Sequence, residues 1–215
     1  MKIAVLGTGT VGTTLGTKLV QLGHEVRMGS RDATSEKGQA WARSAGERAS
    51  YGSFGDAASF GSDLVVNATA GTASLAALRS AGEPRLRGKI LMDVANPLDF
   101  SQGMPPTLTV VNTDSLGEQI QRAFPQARVV KALNTVNADV MVDPSLVPGD
   151  HDTFVCGDDA AAKETVTALL RDFGWKHVID LGGIGSARGT EMMLALWVRL
   201  YAVTGTARFN VHVAK

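Results

Sequence analysis

The stretch "GTGTVG" at 7–12 holds glycines at positions 7, 9 and 12, the spacing of a turn that cradles a pyrophosphate. Gly7 permits the tight turn, Gly9 lets the backbone approach the phosphates, and Gly12 allows close packing of helix on strand. The amides of Thr10, Val11 and Gly12 then stand at the positive end of a helix, where a doubly charged bridge is favoured. A strand pattern, "KIAVL", ends just before this turn and a helical pattern opens just after it, which is the context the motif requires.

The second group of candidates follows the second strand. "HEVRMG" ends at Gly29 and delivers Ser30 and Arg31. A site for the unphosphorylated dinucleotide places an Asp or Glu there, on the ribose hydroxyls. A hydroxyl and a guanidinium suit a 2′-phosphate instead, one through a compact hydrogen bond and the other through a charge-assisted fork. Arg31 is also able to lie flat on the adenine. Asp32 comes one step late and is expected to cap the following segment, while Lys37 offers a second, weaker charge. The bland alternative is a turn, "GSRD", with Ser30 capping and Arg31 solvated.

Three further stretches fall at the carboxyl ends of later strands, where doubly wound sheets bind their ligands. They are "NATAGT" (67–72), "DVANPLD" (93–99) and "KALNTVNA" (131–138). Their small and amidic residues suit a backbone-lined slot for a nicotinamide and its carboxamide. No Ser-His-Asp set, paired carboxylates or metal-ligand cluster can be assembled, so no catalytic side chain and no metal site is assigned. His24, His151, His177 and His212 are poorly placed, and His24 and His177 read as exposed turn residues preceding strands. The chemistry left is the kind that works by holding two reactants close, such as hydride transfer between two ring cofactors.

The elements that must position these residues alternate along the chain. "KIAVL" precedes a helix at 11–22, "HEVRMG" one at about 36–47, and "DLVVNA" one at 72–82, while "KILMDVA" leads into a Pro- and Gly-rich loop, 96–106, expected to be irregular. "TLTVVNT", a helix near 115–123, "ARVVKALN", "DTFVCG", a helix at 159–173 and "KHVIDLG" continue the pattern. Alternation of this kind predicts βαβ units in a doubly wound, mainly parallel α/β sheet over residues 1–183. Residues 184–215 are expected to form a C-terminal helix and tail that complete the site or a subunit interface. Its core, "SARGTEMMLALWVRLYAV" at 186–203, is apolar almost all round and requires cover on every side. It is too short and too charged for a membrane span, and the short tail leaves no room for a large appended helical domain.

With 215 residues, 44% of them hydrophobic, the chain is long enough to bury one full core. Its 21 basic and 21 acidic residues cancel, which leaves no broad field to draw nucleic acid or anionic lipid. The immediate opening strand leaves no space for a signal peptide, so a cytoplasmic location is expected. Cys156, the one cysteine, lies in the apolar run "TFVCGDD" and reads as a small core residue.

Taken together, these blocks resemble the NADPH-dependent coenzyme F420 reductase family, small Rossmann NADP-binding oxidoreductases that are also similar to the cytoplasmic domain of metalloreductases. The resemblance rests on "GTGTVG" (7–12), "GSRD" (29–32), "ANPLD" (95–99), "VVKALNT" (129–135), "VCGDD" (155–159) and "GSARGTEMM" (185–193). It implies that Thr8 to Gly12, Ser30, Arg31, a residue near Ala70, and Ala95 or Asn96 bind NADP. It also implies that the loop bearing Asn134, Val136 and Asn137 meets the nicotinamide and the deazaflavin. Archaeal members carry a histidine followed by Thr-Ile-Pro where this chain reads "NTVN" at 134–137, a departure on the deazaflavin face. A homodimer that moves hydride between NADPH and coenzyme F420 is the expected function. A flavin, metal or small imine or ketone as acceptor, and a non-catalytic NADP sensor, are the alternatives. Arg188, Arg199 and Arg208 are candidates to meet a phosphorylated acceptor tail.

Overall fold

A computed structural model describes residues 1–214. Strand β1 (Lys2–Leu6) leads into α1 (Thr10–Gln21), followed by β2 (Glu25–Ser30), α2 (Glu36–Ala45), β3 (Ala49–Ser53), α3 (Phe54–Phe60) and β4 (Leu64–Asn67). Next come α4 (Gly71–Ala81), α5 (Glu83–Leu86), β5 (Ile90–Asp93), β6 (Leu98–Asp99), β7 (Thr107–Leu108), α6 (Leu116–Ala123) and β8 (Arg128–Ala132). The chain closes with α7 (Ala138–Val142), β9 (Asp152–Cys156), α8 (Ala160–Asp172), β10 (His177–Asp180) and α9 (Ala187–Thr204).

Eight strands form one sheet in the order β10-β9-β8-β5-β4-β1-β2-β3. The order reverses between β1 and β4, and the carboxyl ends of those strands therefore open onto a crevice. Central strands β4 and β5 are buried along their whole length, as parallel strands covered on both faces must be. Successive residues of β1 feed opposite layers. Ile3 and Val5 pack with Leu15, Leu19, Met28 and Trp41, whereas Ala4 and Leu6 pack with Phe54, Ala57, Leu78 and Ile120. The period-two alternation of a strand thus builds a core on each side of the sheet.

The structure corrects the sequence reading in four places. β3 and α3 were not anticipated, because "ASYGS" is short and carries a glycine. A capping box holds their junction, with the Ser53 hydroxyl accepting from the Asp56 amide and the Asp56 carboxylate accepting from the Ser53 amide. β9 runs antiparallel to β8 while every other neighbouring pair in the sheet is parallel. The segment between them, residues 133–151, is long enough for a crossover but is spent on the short helix α7, a 3-10 turn and loops, and it returns the chain antiparallel. The loop at 96–106 is not wholly irregular, since β6 pairs with β7 in a separate antiparallel ribbon, and "TLTVVNT" does not join the main sheet. Finally, α9 is covered along one stripe, Ala187, Thr190, Glu191, Leu194 and Val198, while Leu196 and Val203 remain exposed at 56% and 85%.

Beyond α9 the chain turns at Gly205 and runs back to the start of β9. There the Asp152 amide donates to Val211 O (3.0 Å), and the Val213 amide donates to the Asp152 carboxylate (2.6 Å). Phe209 of this return segment stacks on Trp197 of α9 at 5.1 Å between ring centres.

Candidate functional site

The glycine turn is built as its spacing requires. Gly7 has φ +121°, a conformation open mainly to glycine, and a Cβ there would run into the carbonyl of Ala68. A Cβ on Gly12 would collide with Gly7 O, so the helix lies directly against the turn. Gly9 differs, since nothing stands within 4 Å of where its Cβ would point. Gly9 is also the N-cap of α1, whose N-terminus has no side-chain cap and no acidic residue in its first turn. The free amides and the bare Gly9 backbone are what a pyrophosphate would fill.

A cavity of about 540 Å³ extends from this turn toward the end of β2. Gly7, Thr8, Gly9, Ser30, Arg31 and Asp32 line it, with Phe54 and Ala68 to Ala70 opposite. The Arg31 side chain is exposed at the rim. Ser30 Oγ has local partners, donating to Asp32 O at 2.9 Å and lying 2.6 Å from Tyr51 Oη. The Asp32 carboxylate accepts from the amide and hydroxyl of Thr34 at 2.8 and 2.7 Å, bonds that lower its pKa and hold the turn before α2. Lys37 is exposed on the first turn of α2 and does not line the cavity.

A second cavity of about 350 Å³ shares Ala68, Thr69 and Ala70 with the first. It brings together Val11, Ala95, Asn96, Asn134, Val136 and Asn137, residues drawn from beyond the carboxyl ends of two strands and from the start of α1. Leu133 adopts φ 59° at the end of β8, and the turn it makes sets Asn134 against Asn96. The two amides pair reciprocally, Asn96 Nδ2 donating to Asn134 O (2.7 Å) and Asn134 Nδ2 to Asn96 Oδ1 (3.0 Å). Asn137 Oδ1 accepts the Val140 amide at 3.0 Å and so caps α7. The far wall comes from residues that the sequence did not single out, Leu194 and Trp197 of α9 and Phe100 of the ribbon loop. Among the described residues, none that lines this cavity carries an ionisable side chain.

Other candidates are drawn elsewhere. Arg188 is not available for an acceptor tail, because its guanidinium forks onto Glu118 at 2.8 and 2.6 Å and lowers that carboxyl's pKa. Arg199 and Arg208 stay exposed. Cys156 is fully buried, and burial pushes its thiol up to about 12.

The sequence reading also passed over a buried ionic cluster behind the second cavity. Lys131, Asp93 and Glu191 have side chains at most 1% exposed, with the ammonium 2.8 Å from Asp93 Oδ2 and 2.7 Å from Glu191 Oε1. Burial works against the charge most strongly, yet the two carboxylates outweigh it and hold the Lys131 pKa above its ordinary value. A lysine within the apolar run "RVVKA" was the one local signal of this cluster. Among the described residues, no group of His, Cys, Asp and Glu is placed to hold a metal ion, and no helix is long and apolar enough to cross a membrane.

A sheet ordered β3-β2-β1-β4-β5-β8, with a glycine turn after its first strand and joined cavities at its switch point, defines a Rossmann-type dinucleotide-binding protein. Residues 2–97 match the family described as NADP oxidoreductase, coenzyme F420-dependent. An F420-dependent NADP reductase from Methanocaldococcus jannaschii is 30% identical over 211 residues, 93% of this chain and 92% of that protein. A solved structure from Arthrobacter sp. FB24, provisionally named an F420-dependent NADP-reductase, is 55% identical and superposes over the whole of both chains with a TM-score of 0.95. The rat metalloreductase STEAP3 is 30% identical over 195 residues, and the match spans 88% of this chain but 36% of the longer protein. The chain belongs to the F420-dependent NADP reductase family and is an NADP-dependent oxidoreductase.

Proposed function

We propose that the chain moves hydride between C4 of the NADPH nicotinamide and C5 of the deazaflavin coenzyme F420, as a cytoplasmic homodimer. The observation that carries this reading is the pair of joined cavities, the second of which presents no ionisable side chain among the described residues. One cavity suits the adenosine half of the dinucleotide and the other its nicotinamide together with a flat partner. The Gly9 backbone and the amides of Thr10 to Gly12 take the pyrophosphate, and Ser30 and Arg31 take the 2′-phosphate. Ala70, Ala95 and Asn96 border the nicotinamide, and Asn134, Val136 and Asn137 turn it toward the acceptor. Residues 184–215 complete the acceptor wall through Leu194 and Trp197, and the exposed Leu196 and Val203 give α9 a surface for a second copy.

The reaction transfers two electrons and one proton as hydride, leaving NADP⁺. The second proton reaches the reduced deazaflavin from solvent, so no acid is required of the cavity. Reduction of a small ketone or imine needs a proton donor beside the carbonyl or imine, and this lining supplies none. A flavin, also flat, would stack in the same space, and the lack of an ionisable side chain in the lining makes it the second reading. The test mixes purified protein, NADPH and the deazaflavin and follows both absorbance bands. The expected result is equal loss of the two. If neither changes, the acceptor assignment fails, and NADPH loss with a flavin alone replaces it by the second reading.

A further inference from the structure

We propose that the buried Lys131–Asp93–Glu191 cluster is a positioning device that fixes the spacing between the two walls of the acceptor cavity. This rests on reading the second cavity as the place where nicotinamide and acceptor meet. The ammonium of Lys131 spends its donors on Asp93 Oδ2 (2.8 Å), Ala95 O (2.6 Å) and Glu191 Oε1 (2.7 Å). Two of these partners lie at or just beyond the end of β5 and the third on α9. Ala95 lines the nucleotide wall of the cavity, and Asp93 Oδ1 holds that loop further by accepting from the Ala95 amide (3.2 Å) and from Asn67 Nδ2 (2.8 Å). Glu191 belongs to α9, and it also accepts the amides of Leu116 (2.8 Å) and Gly117 (3.0 Å) at the start of α6. On α9, Leu194 and Trp197 follow Glu191 by one and two turns and form the opposite wall. One ammonium therefore ties both walls together.

Stability alone does not call for such an arrangement, because well-packed apolar residues often replace a buried ion cluster without loss. What charge supplies is discreteness. A buried charge that loses its partner is strongly destabilising, so slippage of α9 that parts Glu191 from Lys131 is costly. Hydride transfer rewards that rigidity, since reacting atoms must approach to about 3–3.5 Å and an error of about 1 Å is able to cost about a hundredfold in rate.

The test uses Glu191→Gln, which keeps an oxygen for an α6 amide and removes the charge that seats α9 on Lys131. Single-turnover hydride transfer from bound NADPH to the deazaflavin, nicotinamide emission of bound NADPH, and thermal unfolding are measured together. The expected result is a fall of about tenfold or more in the rate constant, with full amplitude and an NADPH Kd within about twofold of the parent. Nicotinamide emission should also lose the enhancement that an ordered pocket confers. A purely structural role would lower the amplitude and the melting temperature while leaving the rate constant of the folded fraction unchanged, and that result overturns the proposal. If Glu191→Gln does not fold, the triple variant Lys131→Met, Asp93→Asn, Glu191→Gln removes all three charges together and leaves no buried charge without its partner. It should fold and show the same slow transfer, and a parent-like rate would refute the proposal. If the parent protein reduces no acceptor, the acceptor reading has failed, and nicotinamide emission in the parent and variants decides the positioning role.

Discussion

Replacing Arg31 by alanine should separate NADPH from NADH. The guanidinium stands exposed at the rim of the first cavity, beyond Ser30 and opposite Phe54, so its removal leaves no buried group unpaired. A charge-assisted hydrogen bond to a phosphate contributes about 1.5–3 kcal/mol, and solvent at the open rim favours the lower half of that range. Taking about 2 kcal/mol, NADPH binding should weaken roughly thirtyfold. NADH has no 2′-phosphate, and its Kd should change by less than about twofold, the limit set by any stacking of the guanidinium on adenine. Calorimetric titration of parent and variant with both nucleotides, at low and at moderate salt, measures this directly. The parent's preference for NADPH should narrow as salt screens the rim, and the variant should show a weaker salt dependence. Equal weakening of the two nucleotides would refute the assignment of Arg31 to the 2′-phosphate. So would a loss of NADPH affinity smaller than the change in NADH.

Three further outcomes follow from the geometry. Gly12→Ala, whose Cβ would strike Gly7 O, should lower stability by about 1–3 kcal/mol in urea unfolding; Gly9→Ala meets open space, and should keep the melting temperature within a few degrees while weakening NADPH binding. Cys156, buried and with its thiol at about 12, should resist a disulfide reagent at pH 8 until the chain is unfolded, and rapid labelling of the native protein would contradict its placement. The Arg122 hydrogen bond first of all lowers the Asp114 pKa from 3.8 to about 2, so its stabilising effect is present above pH 4 and is lost as pH falls toward 2. The Arg122 side chain is 60% exposed, so solvent keeps the effect small. Asp114→Asn should flatten the dependence of the urea midpoint on pH between pH 4 and pH 2.

The first cavity is written locally. Strand, glycine turn and helix start lie within the first 21 residues; Gly12 answers to Gly7 five residues away, Gly7 to the end of the adjacent strand, and Gly9 to open space. Ser30 ends β2 and Arg31 follows it, so the order of the sequence alone puts both against the first cavity. The alternation of apolar runs and helical patterns likewise carries the sheet, because burial on both faces leaves continuous apolar strands. β3 and α3 escaped because a five-residue strand with a glycine has no clear period, although Ser53 and Asp56 carried a capping signal.

What tertiary structure decided is the second cavity. The direction of β9 depends on how long a connection must travel, which a local pattern does not encode. Trp197 reads as one more apolar residue of α9 until the return segment places Phe209 against it and the helix lies across the strand ends. Lys131 has no explanation within its own strand. Its partners lie 38 residues earlier in β5 and near the end of the chain in α9, and only burial in one core forces the three charges to meet. Local backbone preferences act over a few residues and fix the phosphate turn. Pairing of buried charges acts between elements far apart in sequence, so the spacing of the second cavity exists only once the whole sheet is assembled.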